Sequence, residues 1–106
     1  MQGEAEVLNT TGALLAESAG PREALPLYRQ ALQLARQAHS PVDEAGALEG
    51  AARCTARMGD KAAARTDLRE AIAIYQRIGA AEAGPATAYL ATLEDEGYGC
   101  ELPTCR

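Results

Sequence analysis

The chain of 106 residues is similar to itself when it is shifted by 40 positions. The shift pairs small with small and aliphatic with aliphatic side chains, as in Leu8 with Leu48, Ala24 with Ala64, Ala31 with Ala71, Leu32 with Ile72 and Leu34 with Ile74. Repeats of about 20 to 50 residues fold as units that bury their apolar faces only by stacking on one another. We therefore expect a short array of stacked units within one domain.

The composition indicates that these units are helical. The sequence contains 24 Ala and 12 Leu residues, which lead the helix propensity scale, but only two Val and three Ile. It contains four Tyr and neither Phe nor Trp. Strands favour β-branched and aromatic residues, so a β-sandwich or barrel is not expected. The sequence predicts an all-α fold.

Glycine, proline and capping residues divide the chain into five predicted helices, at about 4–18, 21–38, 41–58, 60–78 and 82–95. We expect the Ser40 hydroxyl to accept a hydrogen bond from a free amide of the third helix, with Asp43 as the acid of a capping box. Asp60 is expected to cap the fourth helix. Pro26 lies inside the second helix and removes a backbone hydrogen bond, so a kink or a late start is expected there.

The five helices form two similar pairs and one additional helix. The units cover about residues 5–40 and 45–80, a capping helix covers about 82–95, and together they make a domain of residues 1–97. Residues 98–106 are expected to form a flexible tail that contains cysteines. Apolar residues at helical spacing predict buried faces made of Leu25, Tyr28, Ala31, Leu32 and Ala35 in the second helix and of Ala64, Leu68, Ala71, Ile72 and Tyr75 in the fourth.

The pattern within each unit resembles the tetratricopeptide repeat, a pair of antiparallel helices. The residues that carry the resemblance are Leu8, Gly12, Ala24, Tyr28 and Ala31 in the first unit and Leu48, Ala52, Gly59, Ala64, Leu68 and Ala71 in the second. The period of 40 is longer than the usual 34 residues, and the aromatic residue of the first helix is missing. The resemblance implies an α-solenoid of about two and a half repeats, acting as a non-catalytic protein interaction or assembly module.

The longer period and the segment from Ala71 to Ala80 are similar to the C-terminal repeat arrays of large actinobacterial transcriptional activators of antibiotic pathways. In that family the array is an interaction or regulatory module, and the DNA-binding and nucleotide-hydrolysing domains lie elsewhere. This second resemblance implies that the chain is the regulatory repeat domain of a bacterial transcriptional regulator.

The family resemblance also implies a binding groove, because the first helix of each pair lines the concave face of such arrays. The implied groove residues are Asn9, Ala13, Glu17, Glu49, Arg53 and Arg57. Arg53 and Arg57 could hold carboxylates of a protein or peptide partner. Alternatively, Glu49 pairs with Arg53 four residues later on a solvated face.

An array this short leaves an end face to be covered. About three repeats are needed for independent stability, and this chain supplies about two and a half. Either the fifth helix caps the array, or an end face pairs with a second copy. We hypothesise a homodimer through an end face.

The charge and hydropathy of the chain argue against several classes of partner. A net charge of −5 argues against binding to nucleic acid or to an anionic membrane surface. No apolar run is long enough for a membrane span, and the acidic start is unlike a signal peptide. We expect a cytoplasmic protein without a cofactor.

No residue pattern of an enzyme is visible, because neither a nucleophile with a base nor a set of converging carboxylates is evident. The single histidine, His39, is expected to end the second helix, and Cys54 is expected to be a small core residue. Cys100 and Cys105 could form a redox pair, join a metal site or lie incidentally in a flexible tail; no complete metal site is predicted. A small redox- or metal-responsive regulator that uses these cysteines is the alternative function.

Overall fold

The computed structural model describes the backbone of residues 3–99 and the side chains of residues 3–94. Within this part of the chain there are five helices: α1 Glu4–Ser18, α2 Pro21–Gln37, α3 Pro41–Arg57, α4 Lys61–Ile78 and α5 Ala83–Gly99. Each helix packs on the next along the chain, and α1 also contacts α3. This arrangement confirms the predicted all-α array of helix pairs.

The turns between the helices depend on left-handed backbone conformations. Gly79 ends α4 with φ 71°, and Ala80 donates its amide to the Tyr75 carbonyl at 2.9 Å, which is a common way for a helix to end. After α2 the corresponding position is His39, with φ 54°. A residue other than glycine rarely takes this conformation, so the backbone at His39 is locally strained.

The starts of α3 and α4 differ in their capping. The Asp60 carboxylate accepts a hydrogen bond from the Ala63 amide at 3.1 Å, as predicted. Ser40 does not cap α3 in the predicted way: its hydroxyl donates to the Asp43 carboxylate at 2.9 Å and accepts from no amide of the helix. The hydroxyl goes to the carboxylate because a charged acceptor forms the stronger hydrogen bond.

The late start expected from Pro26 is not observed, and the alternative, a kink at Pro26, stays a prediction. The helix begins at Pro21, which occupies its first turn, and continues through Pro26 to Gln37. The fixed φ of proline is compatible with a helix, and the lost hydrogen bond leaves only the Arg22 carbonyl without its usual donor. Both Arg22 and Pro26 are exposed, so water can bind that carbonyl.

The core is built mainly from α3 and α4. All five residues predicted for the buried face of α4 are buried, and Ile74 joins them. They pack against Ala45, Leu48 and Ala52 of α3 and against Ala86 and Leu93 of α5. On α2, Tyr28, Ala31 and Ala35 are buried as predicted, whereas Leu25 and Leu32 are half-buried. Alanine at most contact positions lets the helices approach closely.

α5 extends further than the sequence predicts. It begins at Ala83 and ends at Gly99, beyond the expected end at about residue 95. A glycine in a helix costs about 1 kcal/mol relative to alanine, which is not enough to stop a helix that is already formed. The helical array therefore reaches into the segment that was expected to be tail.

Candidate functional site

A groove of about 280 Å³ lies between α1, α3 and α5. It is lined by Ala13, Ala16, Glu17, Tyr28, Gly50, Arg53, Cys54, Arg57 and Tyr89. Four of the six residues that the family resemblance implied, namely Ala13, Glu17, Arg53 and Arg57, are thus brought together here. Asn9 and Glu49 are not part of this lining.

The ring of Tyr28 forms the floor of the groove. The sequence predicts only that Tyr28 lies on the buried face of the second helix. The ring lies against two glycines, Gly12 of α1 and Gly50 of α3. A Cβ atom at Gly12 would lie 3.1 Å from Tyr28 Cζ, and one at Gly50 would overlap the ring. Two mid-helix glycines in helices otherwise rich in alanine are the sequence signal that could have revealed this close approach.

A polar network beside the groove joins α3, α4 and α5, and Arg53 and Tyr89 are its members in the groove lining. Arg53 donates to Glu49 Oε2 from Nη2 at 2.9 Å and from Nε at 3.3 Å. The Tyr75 hydroxyl donates to Glu49 Oε1 at 2.9 Å. The guanidinium carbon of Arg53 lies 4.2 Å from the centroid of the Tyr89 ring, a cation–π distance. Arg53 is therefore fixed in place by a carboxylate and an aromatic ring.

The pairing of Glu49 with Arg53 changes the electrostatics of the site. Burial and the hydrogen bond to Glu49 together raise the pKa of Tyr75 well above its ordinary value of 10.0. The phenol therefore remains a neutral donor at physiological pH. Because Glu49 neutralises Arg53, that arginine contributes little free positive charge to the groove.

Arg57 has a different environment. Its Nη1 donates to the backbone carbonyl of Ala16 at 3.2 Å, which ties α3 to α1 across the groove. The ion pairs formed among residues 3–94 give Arg57 no carboxylate partner. Glu17 lines the same groove but forms no ion pair with Arg57 among the described residues, so Arg57 is the cation best placed to receive an anionic group.

Asn9 lies outside the groove, at the contact between α1 and the first turn of α3. Its Nδ2 donates to the Asp43 carbonyl at 3.2 Å, and its side chain packs against Gly46. The Oδ1 atom is buried and has no hydrogen-bond partner within the described structure. The contacts of Asn9 thus join two helices.

Cys54 is buried in the groove lining, as the sequence analysis expected of a core residue. Burial raises the pKa of its thiol above the ordinary value, and the nearby charge of Arg57 opposes this only in part. Cys100 and Cys105 lie outside the described residues. Among residues 3–94 no group of three or more His, Cys, Asp or Glu side chains could hold a metal ion.

The comparisons with known proteins concern the second helix pair. Residues 45–78 match the family model of the tetratricopeptide repeat. The match covers α4 and all but the first turn of α3. No curated protein and no solved structure matches the chain significantly.

The tetratricopeptide match indicates a protein–protein interaction module, the class that the repeat pattern predicted. It agrees with the observed architecture of stacked antiparallel helix pairs. None of the helices in the described part of the chain has both the length and the apolarity that a bilayer span requires.

Proposed function

We propose that the chain is a non-catalytic module that binds a segment of a partner protein in the groove between α1, α3 and α5. The observation that supports this most is the position of Arg57, a cation without a carboxylate partner beside the apolar surface of Ala13 and Tyr89. Such a hollow suits a partner segment that presents one carboxylate and one apolar side chain.

The role of Arg53 differs from that of Arg57 in this proposal. The sequence suggests that both arginines hold carboxylates of a partner. We propose this role for Arg57 alone, because Arg53 is already paired with Glu49. Stacked on Tyr89, Arg53 instead presents a flat wall against which a partner side chain can pack. The groove therefore selects by shape on one side and by charge on the other.

The absence of catalysis is part of the proposal and is supported by the state of the groove's thiol. Cys54 is buried, and its raised pKa keeps it in the less nucleophilic thiol form. The described side chains that line the groove include no histidine that could act as its base, and Glu17 is the carboxylate among them.

A peptide titration would test the groove. Nitrogen-15-labelled protein would be titrated with short peptides that combine one large apolar residue with one aspartate, and with matched asparagine peptides. We expect shifts at Ala13, Glu17 and Tyr89 with the aspartate peptides only, and loss of binding in Arg57→Ala. Arg77→Ala, at the far end of α4, is the control and should bind normally. Equal binding of both peptide sets, or shifts outside the groove, would contradict the proposal.

We further propose that this module is the regulatory domain of a cytoplasmic bacterial transcriptional regulator. The support is the resemblance of the 40-residue period and of the segment from Ala71 to Ala80 to activator arrays. Mass spectrometry of the source cells would test it. Peptides of this sequence recovered from a polypeptide that also carries a DNA-binding domain support the proposal, whereas a separate chain of 11.1 kDa argues against it.

Two other hypotheses from the sequence analysis stay predictions. Solution mass over a concentration series tests the end-face homodimer, and a monomer at high micromolar concentration would contradict it. Loss of free thiol on oxidation, compared with a Cys100→Ser variant, tests the pairing of Cys100 with Cys105.

A further inference from the structure

When the chain is shifted by 40 residues, the outer face of α1 aligns with a face of α3 that is buried under another helix. In α3 this face consists of Ala47, Ala51 and Cys54, and all three residues are buried. Ala51 and Cys54 pack against Ala24 and Tyr28 of the preceding helix, α2. The second helix of one pair thus covers the first helix of the next.

The same positions in α1 are Val7, Thr11 and Leu14, and all three are exposed. Val7 is 61% exposed and Leu14 is 64% exposed, the two largest values among the exposed large hydrophobic side chains of the described structure. In the described structure no helix precedes α1 to cover them. The face that α2 covers on α3, at Ala51 and Cys54, is therefore apolar and exposed to solvent on α1.

A hollow adjoins this face. It has a volume of about 630 Å³ and is lined by Gly3, Glu4, Val7, Leu8, Gln30 and Leu34. Leu8 and Leu34 are only half-exposed, so the hollow has an apolar floor between α1 and α2. Leu14 lies seven residues, or about 10 Å, further along the helix than Val7. The face can thus receive the side chains of a helix that lies along α1.

As far as residue 94, the last described side chain, α5 does not offer an equivalent face at the opposite end of the array. There α5 buries Ala86 and Leu93 against α4. The outward residues of α5 include Thr87, Ala88 and Ala91, which are small. Among the described residues the outward faces of α1 and α5 therefore differ, and two copies stacked end to end would not repeat the internal packing.

The charges of the helices alternate along the array. α1 carries three glutamates and no Lys, Arg or His, whereas α2 carries three arginines and one glutamate. α4 carries one lysine and three arginines against two acids. Ion pairs join the basic helices to the acidic helices that follow them, Arg36 with Glu44 at 3.1 Å and Arg69 with Glu94 at 2.6 Å. The helix that best complements α1 is therefore basic.

We propose that the outer face of α1 binds an amphipathic, basic helix of a partner protein, patterned like α2 and α4. Its small and aliphatic residues pack on Val7 and Leu14, and its arginines face the glutamates of α1. A second copy is disfavoured because it would bring the three glutamates of one α1 against those of another. The residues Val7, Thr11 and Leu14 lie outside the groove lining, so the proposal does not depend on the groove function.

The probe is a synthetic peptide with the sequence of α4, residues 61–78. The control peptide carries the changes Arg65→Glu, Arg69→Glu and Arg77→Glu. In titrations of nitrogen-15-labelled protein, we expect the first peptide to shift the resonances of Val7, Thr11, Leu14 and the neighbouring part of α2, more strongly at low than at high salt. The charge-reversed peptide should bind at least about tenfold more weakly.

Two protein variants locate the interaction. Leu14→Glu should weaken peptide binding by about tenfold or more, since it places a charge at the centre of an apolar contact. Val42→Glu introduces the same charge at another exposed hydrophobic position, 50% exposed on α3, and should leave the affinity unchanged. Both sites are on the surface, and circular dichroism checks that both variants remain helical.

Three results would overturn the proposal. The first is that the resonances that shift belong to the groove, or that none shifts. The second is equal affinity for the two peptides. The third is that the peptide fails to bind while the protein forms a dimer that Leu14→Glu abolishes. The Arg57→Ala variant separates the two surfaces, because it should remove groove binding and leave binding of the α4 peptide intact.

Discussion

The ring of Tyr28 lies against the Cα atom of Gly50, in the space that the Cβ atom of any other residue would occupy. This contact lets α2 and α3 approach closely and places an aromatic floor under the groove. Gly50→Ala should destabilise the protein by about 1–3 kcal/mol, because the ring has to move within a packed core. Urea unfolding measures the change.

Two controls accompany this prediction. At Gly84 of α5 a Cβ atom would meet nothing within 4 Å, so Gly84→Ala should be neutral or slightly stabilising. In a Tyr28→Leu background the ring is gone, and Gly50→Ala should then cost less than about 0.5 kcal/mol. Equal costs of Gly50→Ala in the two backgrounds would show that the contact with Tyr28 is not the cause.

Tyr75→Phe removes the hydroxyl that donates to Glu49 and keeps the buried ring. We expect a loss of about 1 kcal/mol in unfolding free energy, the usual contribution of such a hydrogen bond. Tyr89→Phe is the matched control, since it keeps the ring beneath Arg53 and should change stability by less than about 0.5 kcal/mol. A larger effect at Tyr89 than at Tyr75 would refute this account of the network.

Asp60→Ala should cost about 1 kcal/mol, because it leaves the Ala63 amide without its acceptor at the start of α4. Ser40→Ala should cost less, since Ser40 caps no backbone amide and loses only a hydrogen bond to Asp43. Thermal unfolding of the two variants side by side tests this order. The reverse order would mean that Ser40 caps α3 in solution.

The stability of the protein should fall at alkaline pH. Burial raises the pKa of Cys54 above 9.0, and burial with the Glu49 hydrogen bond raises the pKa of Tyr75 above 10.0. Above these ordinary values the unfolded chain releases protons that the folded protein still holds, so the unfolding free energy decreases as pH rises. Urea unfolding from about pH 8 to about pH 11 measures the decrease.

Variants separate the two contributions to this pH dependence. Cys54→Ala should flatten the part of the profile that begins near pH 9. Tyr75→Phe should reduce the part that begins near pH 10, to which Tyr28 also contributes because burial raises its pKa. A profile that is flat over the whole range in the unmodified protein would contradict both assignments.

The thiol of Cys54 should be unreactive in the folded protein, because it is buried and its pKa is raised. In protein prepared under reducing conditions, titration with a thiol reagent should therefore detect one more thiol after unfolding than in the folded state. The Cys54→Ala variant should lack this additional thiol. Fast modification of Cys54 in the folded state would mean that the groove opens readily.

Local sequence patterns are enough to predict the helix pairs and most of the core. The spacing of Ala64, Leu68, Ala71 and Ile72 predicts the buried face of α4, since helical periodicity is a local property. Asp60 marked a helix start for the same reason. The local signals were weaker at Pro26 and at the end of α5, where a helix already formed tolerates residues that disfavour helix formation.

The contacts of each helix face follow from the three-dimensional packing and not from local patterns. The sequence could not show that Tyr28 lies between Gly12 and Gly50, that Glu49 accepts from Tyr75, or that Asn9 lies outside the groove. These relations depend on the separation and crossing of helices that are distant in the chain. The physical reason is that packing sums many contacts between residues far apart in sequence, whereas periodicity and capping involve only near neighbours.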